Sequence, residues 1–361
     1  MTELETTSEI WKTIAGMDST VRAPKVMLPE IARRRIYSQP YSRDKMFIEM
    51  AKRRPAIFRD VPVFAKGKKG MESKDALIRT LSTKFPKGEL SNVQVGPTRI
   101  PRRLPVTEIM RRWEGQRAIV GVTDLHIRGT KVEDVIDTKA LSDFNVLIRG
   151  TYNLSTQEMM TLVIASPGNV TDSHSDDPDG TNHCFFGKKV WLVWETFEGI
   201  EAGLEDVERQ DVYDAAKFNM TKYMSLPSAR WFVVSTGDTL SLPSNMTHKV
   251  FTLDYYIGVG SFHVGLPGSI DNLSRWIYHG PLWSLADRKG ENVELVDEIA
   301  RICLRTARRA RDGSPGMQER WGYSYLRDGY KHWARNTSTT IKKQVLKHLD
   351  FREFVELASN A

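Results

Sequence analysis

Between residues 118 and 262 the chain breaks into short apolar runs separated by glycine and proline, and no other feature narrows its fold so far. Residues 118–122, 159–166, 190–194, 231–235 and 255–262 are rich in β-branched and aromatic side chains, which suit a pleated, half-buried surface. Pro167-Gly168, Pro178-Asp179-Gly180, Gly187, Gly237 and Pro243 punctuate them as turns. Many short strands joined in this way predict a β-sandwich or barrel of the jelly-roll or cupin kind.

Helical patterns lie on either side. Residues 42–54 place Met46, Phe47, Met50 and Ala51 on one helix face, and residues 104–113 predict a helix with Thr107 as its N-cap. Residues 55–59 read as a short strand, 66–70 as a turn and 74–82 as a helix. Helices are again predicted over 291–311, 317–335 and 340–359, with Gly313-Ser314-Pro315-Gly316 as a breaker. Residues 1–40, with Pro24, Pro29 and Pro40, read as a loosely ordered lead-in.

At 361 residues the chain can bury a full core. Its N-terminus is polar and acidic, unlike a signal peptide, and no stretch approaches the roughly 20 apolar residues of a membrane span. Only Cys184 and Cys303 occur, too few for a disulfide framework or a zinc-finger reader module. These features predict an intracellular protein, cytoplasmic or nuclear. The net charge is +7, and residues 301–347 hold twelve Lys or Arg against Asp312, Glu319 and Asp328. Such flanks could attract an anionic partner, nucleic acid included, but a solvated helical surface is the simpler reading.

The chemistry centres on His174-Ser175-Asp176. Residues i and i+2 of a strand share a face, so this triplet can aim an imidazole and a carboxylate at one point. His248 lies 74 residues further on, after a second strand and turn. Singly, each has a plainer explanation: a histidine in an acidic surface turn, an Asx-turn residue, a strand-end histidine. Together they make a 2-His-1-carboxylate face with its other side open, the arrangement of non-haem Fe(II) oxygenases. His183 is the competing ligand, expected beside the site or exposed, while His126, His263, His279, His332 and His348 are expected to be structural. Lys189 begins an alternating strand and shares a face with Trp191 and Val193, opposite Val190, Leu192 and Trp194. Pointing inward it needs an anion such as a dicarboxylate, whereas at a strand end it can snorkel to water.

These residues resemble the Jumonji C (JmjC) family of Fe(II)- and 2-oxoglutarate-dependent oxygenases. Thr171-Asp172-Ser173-His174-Ser175-Asp176 matches the family's T-D-x-H-x-D pattern, and Gly187-Lys188-Lys189-Val190-Trp191 is similar to its G-x-K-x-aromatic strand. The run from Gly237 through Leu240, Leu242 and Pro243 to His248 resembles the element carrying the last metal ligand. Similarity extends over roughly residues 100–280, and Pro55-Ala56-Ile57-Phe58 resembles the opening strand.

The resemblance implies an α+β protein. A double-stranded β-helix (jelly-roll, cupin-like) catalytic domain over 41–270 would follow the lead-in at 1–40, with a helical C-terminal extension over 271–361. It implies iron on His174, Asp176 and His248, with Lys189 and Thr171 holding the distal carboxylate of 2-oxoglutarate. Asn182 or Thr181 falls near a further co-substrate contact. It implies a dioxygenase that hydroxylates a C–H bond of a protein, peptide or small molecule, using O2 and releasing succinate and CO2. A carboxylate ligand favours hydroxylation over halogenation, and an N-methyl substrate would be demethylated. Other readings are a lysine demethylase and a non-catalytic cupin-like binding protein. Tyr152, Tyr255 and Tyr256 are too loosely placed to form a methylammonium cage, and the helical extension suggests a homodimer.

Overall fold

Two of the apolar runs, 190–194 and 255–262, are the C-terminal parts of much longer strands, and these organise the fold in the computed structural model. Residues 3–63, 75, 78–79, 90–95, 100–115, 120–127, 136–137, 139–147, 160–176, 178–204, 218–279 and 291–361 are described. Among them the chain is mixed α+β, with one large, mostly antiparallel sheet. Its strands are β1 (Arg35–Ile36), β2 (Gln39–Pro40), β3 (Ala56–Arg59), β4 (Leu90–Val95), β5 (Ile100–Pro105) and β6 (Val120–His126). They continue with β7 (Met160–Ala165), β8 (Val170–His174), β9 (Asp179–Glu195), β10 (Arg230–Ser235), β11 (Asp238–Leu242) and β12 (Met246–His263). The turn expected at 66–70, most of the helix expected at 74–82, the start of the run at 118–122, and Tyr152 lie outside the described residues.

β9 and β12 pair antiparallel from Met246 opposite Glu195 to His263 opposite Asp179. Each changes its second neighbour midway. β9 pairs first with β11 and then with β10, and β12 first with β8 and then with β7. The change coincides with register shifts between Thr252 and Gly258 and with Gly187, at φ 102°. A Cβ on Gly187 would overlap the Tyr255 carbonyl oxygen, so the backbones approach as only glycine permits. The irregularity re-phases the strand. Cys184, Trp191 and Val193 share an apolar cluster although Cys184 and Trp191 are an odd number of residues apart.

The opposite face of β9 carries Val190, Leu192 and Trp194 into a cluster with Trp11, Ile14, Val21, Ile31 and Trp231. Residues 3–40 are therefore ordered rather than loose. Helix Glu3–Met17 and helix Leu28–Arg33 bury their apolar faces, and Trp231 donates from Nε1 to the Ile31 carbonyl at 2.6 Å. β1 pairs parallel with β10, and β2 with β3. Pro24 and Pro29 stand at the starts of helical turns, where a missing N–H costs nothing.

Two local expectations also change. The helix expected at 104–113 is Val106–Glu114, with Pro105 as N-cap and Thr107 inside the first turn, because residues 100–105 join the sheet as β5. Asp179 and Gly180, expected in a turn, open β9. Helix Arg43–Ala51 forms as anticipated, with the Ser42 hydroxyl accepting from Lys45 N at 3.1 Å.

Beyond β12, helix Leu266–His279 spans the boundary expected between 270 and 271. Leu266, Ile270, Leu273 and Trp276 share one core with Val296, Leu304, Leu326, Trp333, Val345 and Phe351 of the C-terminal helices. Among the described residues no helix is long and apolar enough to cross a membrane.

Candidate metal centre

His174 ends β8 and stands directly across from His248 of β12, so strand register brings together two histidines 74 residues apart. Their ring centroids are 4.1 Å apart. Asp176 follows just past β8, and its carbonyl accepts from Asn245 N at 3.1 Å, which ties the two segments before the side chains meet. One ligand atom from each of His174, Asp176 and His248 can be chosen so that all lie within 4.8 Å of one another. His248 Nε2 is 3.8 Å from Asp176 Oδ2. Ligands at right angles with bonds of about 2.0–2.2 Å would stand about 3 Å apart, so small side-chain rotations suffice. This His-Asp-His group could bind a metal ion.

Hydrogen bonding prepares both imidazoles. His174 Nδ1 is 2.8 Å from the Asp172 carbonyl and His248 Nδ1 is 3.1 Å from that of Met246. A carbonyl only accepts, so each Nδ1 carries the proton and each Nε2 keeps its lone pair for a cation. Burial pushes the His248 pKa well down, and His174 adds to the effect, favouring the neutral imidazole that binds metals. The Asp176 side chain is 32% exposed and lines a cavity. Loss of bulk water raises its carboxyl pKa, with His174 opposing.

The group lies in a cavity of about 300 Å³ lined by β7, β8, β9, β11 and β12. Thr171, Asn182 and Lys189, the three expected co-substrate residues, all line it. Lys189 does not snorkel. It is 3% exposed, its Nζ stands 4.2 Å from the Tyr256 ring centroid, and no acidic side chain among the described residues pairs with it. Burial without a counter-charge lowers its pKa to about 7. Val163, Leu240, Leu242, Val250 and Phe262 give the cavity apolar walls.

His183 lies outside the His-Asp-His group and is not exposed. It is 3% exposed, bonded to Thr239 Oγ1 at 2.7 Å and packed on Phe185, and burial lowers its pKa to about 4. His263 is likewise fully buried, against Phe144.

Sequence reasoning missed several contributors. Tyr256 donates its hydroxyl to Asn182 Oδ1 beneath Lys189, and Trp191 tilts over His248 with centroids 5.1 Å apart. Ser261 Oγ and Trp191 Nε1 are buried in cavity-lining residues without a hydrogen-bond partner. Lys249, wholly buried beside His248, reaches Asp172 Oδ1 at 3.3 Å and Asp18 Oδ2 at 2.9 Å, linking the N-terminal segment to the site. The alternation of 189–194 already pointed to Trp191, but nothing local marked the others. Comparison with protein-family models finds no match for this chain, and a search of curated proteins finds none either.

Proposed function

We propose that this protein is an Fe(II)- and 2-oxoglutarate-dependent dioxygenase of the JmjC type, hydroxylating a C–H bond of a protein, peptide or small molecule. The supporting observation is the pairing of two unlike features in one cavity: a His-Asp-His face whose imidazoles are each held through Nδ1 by a backbone carbonyl, and a buried lysine that no acidic side chain among the described residues pairs with. The donor set of two imidazoles and a carboxylate suits iron(II) and leaves the remaining positions to other ligands.

In this reading His174 and His248 bind the metal through Nε2 and Asp176 through a carboxylate oxygen. Lys189 supplies the counter-charge for the distal carboxylate of 2-oxoglutarate, and the Thr171 hydroxyl donates to the same group. Asn182, held by Tyr256, offers an amide to the co-substrate. When bound, the metal with 2-oxoglutarate and O2 supplies an oxidation that releases succinate and CO2 and puts one oxygen into a C–H bond. The apolar walls keep bulk water from the reacting groups.

The finer architecture is part of this proposal. A double-stranded β-helix fits the way β9 and β12 each change neighbour at a bend while side chains from both halves line one cavity.

Succinate release from 2-oxoglutarate under Fe(II) and O2 tests the activity. His174→Ala and Asp176→Ala are expected to abolish it while leaving the circular dichroism unchanged. Succinate formation at the wild-type rate in either variant would remove the enzyme reading.

A further inference from the structure

Arg53 belongs to none of the motifs, yet few side chains are held by so many partners. It follows helix Arg43–Ala51 in the left-handed conformation, φ 55°, and its side chain is 8% exposed. Nη1 lies 3.2 Å from Asp179 Oδ1 and donates to Asn272 Oδ1. Nη2 donates to the Ser244 carbonyl and lies 3.4 Å from its hydroxyl. Nε is 3.0 Å from Asp271 Oδ2, an ionic contact out of line for a hydrogen bond. Asp179 Oδ1 also accepts from Ser244 N at 2.9 Å and Asn272 Nδ2 at 3.1 Å.

The partners come from three segments that matter to the metal centre. Asp179 lies three residues beyond Asp176, and Ser244 four residues before His248. Asp271 and Asn272 stand on helix Leu266–His279, whose apolar side belongs to the C-terminal core. A guanidinium is planar with its donors in a fixed fork, so it sets distances between partners where an ammonium would only neutralise them.

We propose that Arg53 is a positioning residue for the metal centre. It fixes the separation of the Asp176 and His248 segments from a platform, Asp271 and Asn272, that the C-terminal helical unit holds in place. The inference rests on reading His174, Asp176 and His248 as metal ligands, and it gives the helical extension a task at the site.

Cobalt(II), whose visible bands report ligand geometry, is titrated into the full-length protein and three variants, with circular dichroism and melting recorded alongside. Arg53→Lys keeps the charge and loses the fork; Asn272→Ala keeps every charge and weakens the platform. Ile109→Ala is a control that opens a cavity in helix Val106–Glu114, which packs against β4, β5 and β6. Arg53→Lys is expected to bind cobalt about 10–100-fold more weakly with altered bands, the usual cost of losing an outer support. Asn272→Ala should move the same way, and Ile109→Ala should melt earlier with cobalt affinity unmoved. Wild-type affinity and bands in whichever of the first two folds would overturn the proposal, as would equal weakening in the control. Wild-type protein that takes up no cobalt overturns the metal reading itself, a separate outcome.

Discussion

Lys189 is the side chain whose position is hardest to explain without a ligand. Burial has brought its pKa down to about 7, far below an ordinary lysine, and no acidic side chain among the described residues pairs with it. The unfolded chain therefore binds more protons than the folded one between about pH 7 and the normal lysine pKa, and ligand-free stability rises with pH across that window. A dicarboxylate favours the cation, so its binding takes up a proton, and affinity for 2-oxoglutarate should fall by up to about tenfold per pH unit above 7. Calorimetry in buffers of different ionisation enthalpy reads the uptake directly. Lys189→Met should abolish 2-oxoglutarate binding and, at pH 6, stabilise the ligand-free protein by about 1–3 kcal/mol in urea unfolding. Unchanged 2-oxoglutarate affinity in that variant would exclude the role. At this scale residue type and spacing already named His174, Asp176, His248 and Lys189, while Thr171 and Asn182 (or Thr181) came only from the resemblance to the JmjC family. Neither revealed Arg53 or Lys249, because a charged residue in a local sequence looks the same whether it is solvated or buried.

Elements were legible where one local period dominates. Helix Arg43–Ala51, strands β7 and β10, and the apolar C-terminal parts of β9 and β12 all follow from their patterns. The lengths of β9 and β12 do not. Their ends, around Asp179 and Met246, are polar or turn-like, and only pairing with each other makes them strands. The N-terminal helices were missed for a related reason: their apolar residues are sparse, and the partner surface on β9 and β10 lies far along the chain. Helix packing offers a test at the same scale. A Cβ on Gly329 would overlap the Pro267 carbonyl oxygen, so helix Leu326–Asn336 can lie against helix Leu266–His279 only through glycine. Gly329→Ala should cost about 1–3 kcal/mol in chemical denaturation. A midpoint equal to wild type would show that the two helices separate freely.

For the whole molecule, the basic excess of residues 301–347 is less available than the local count suggests. In the C-terminal helices Arg301 pairs with Glu298 and Asp350, Arg308 with Glu353, and Arg311 with Asp312. The extension also shares its apolar core with helix Leu266–His279, which carries Asp271 and Asn272. A chain ending near residue 285 should therefore lose cooperative melting and cobalt binding together, not merely a charged surface. Retention of both in the truncated protein would mark the extension as an independent appendage. By itself the sequence determined which groups the cavity could hold: an imidazole and a carboxylate two residues apart, a distant second imidazole, and a lysine on an alternating strand. Alternation is a local property, and it can be counted along the chain. Only the tertiary structure decided that His248 stands opposite His174, that Lys189 is buried, and that Arg53 bridges Asp179 and Ser244. Register, burial and charge compensation depend on which distant strands and helices pack against a residue, and no local period encodes that.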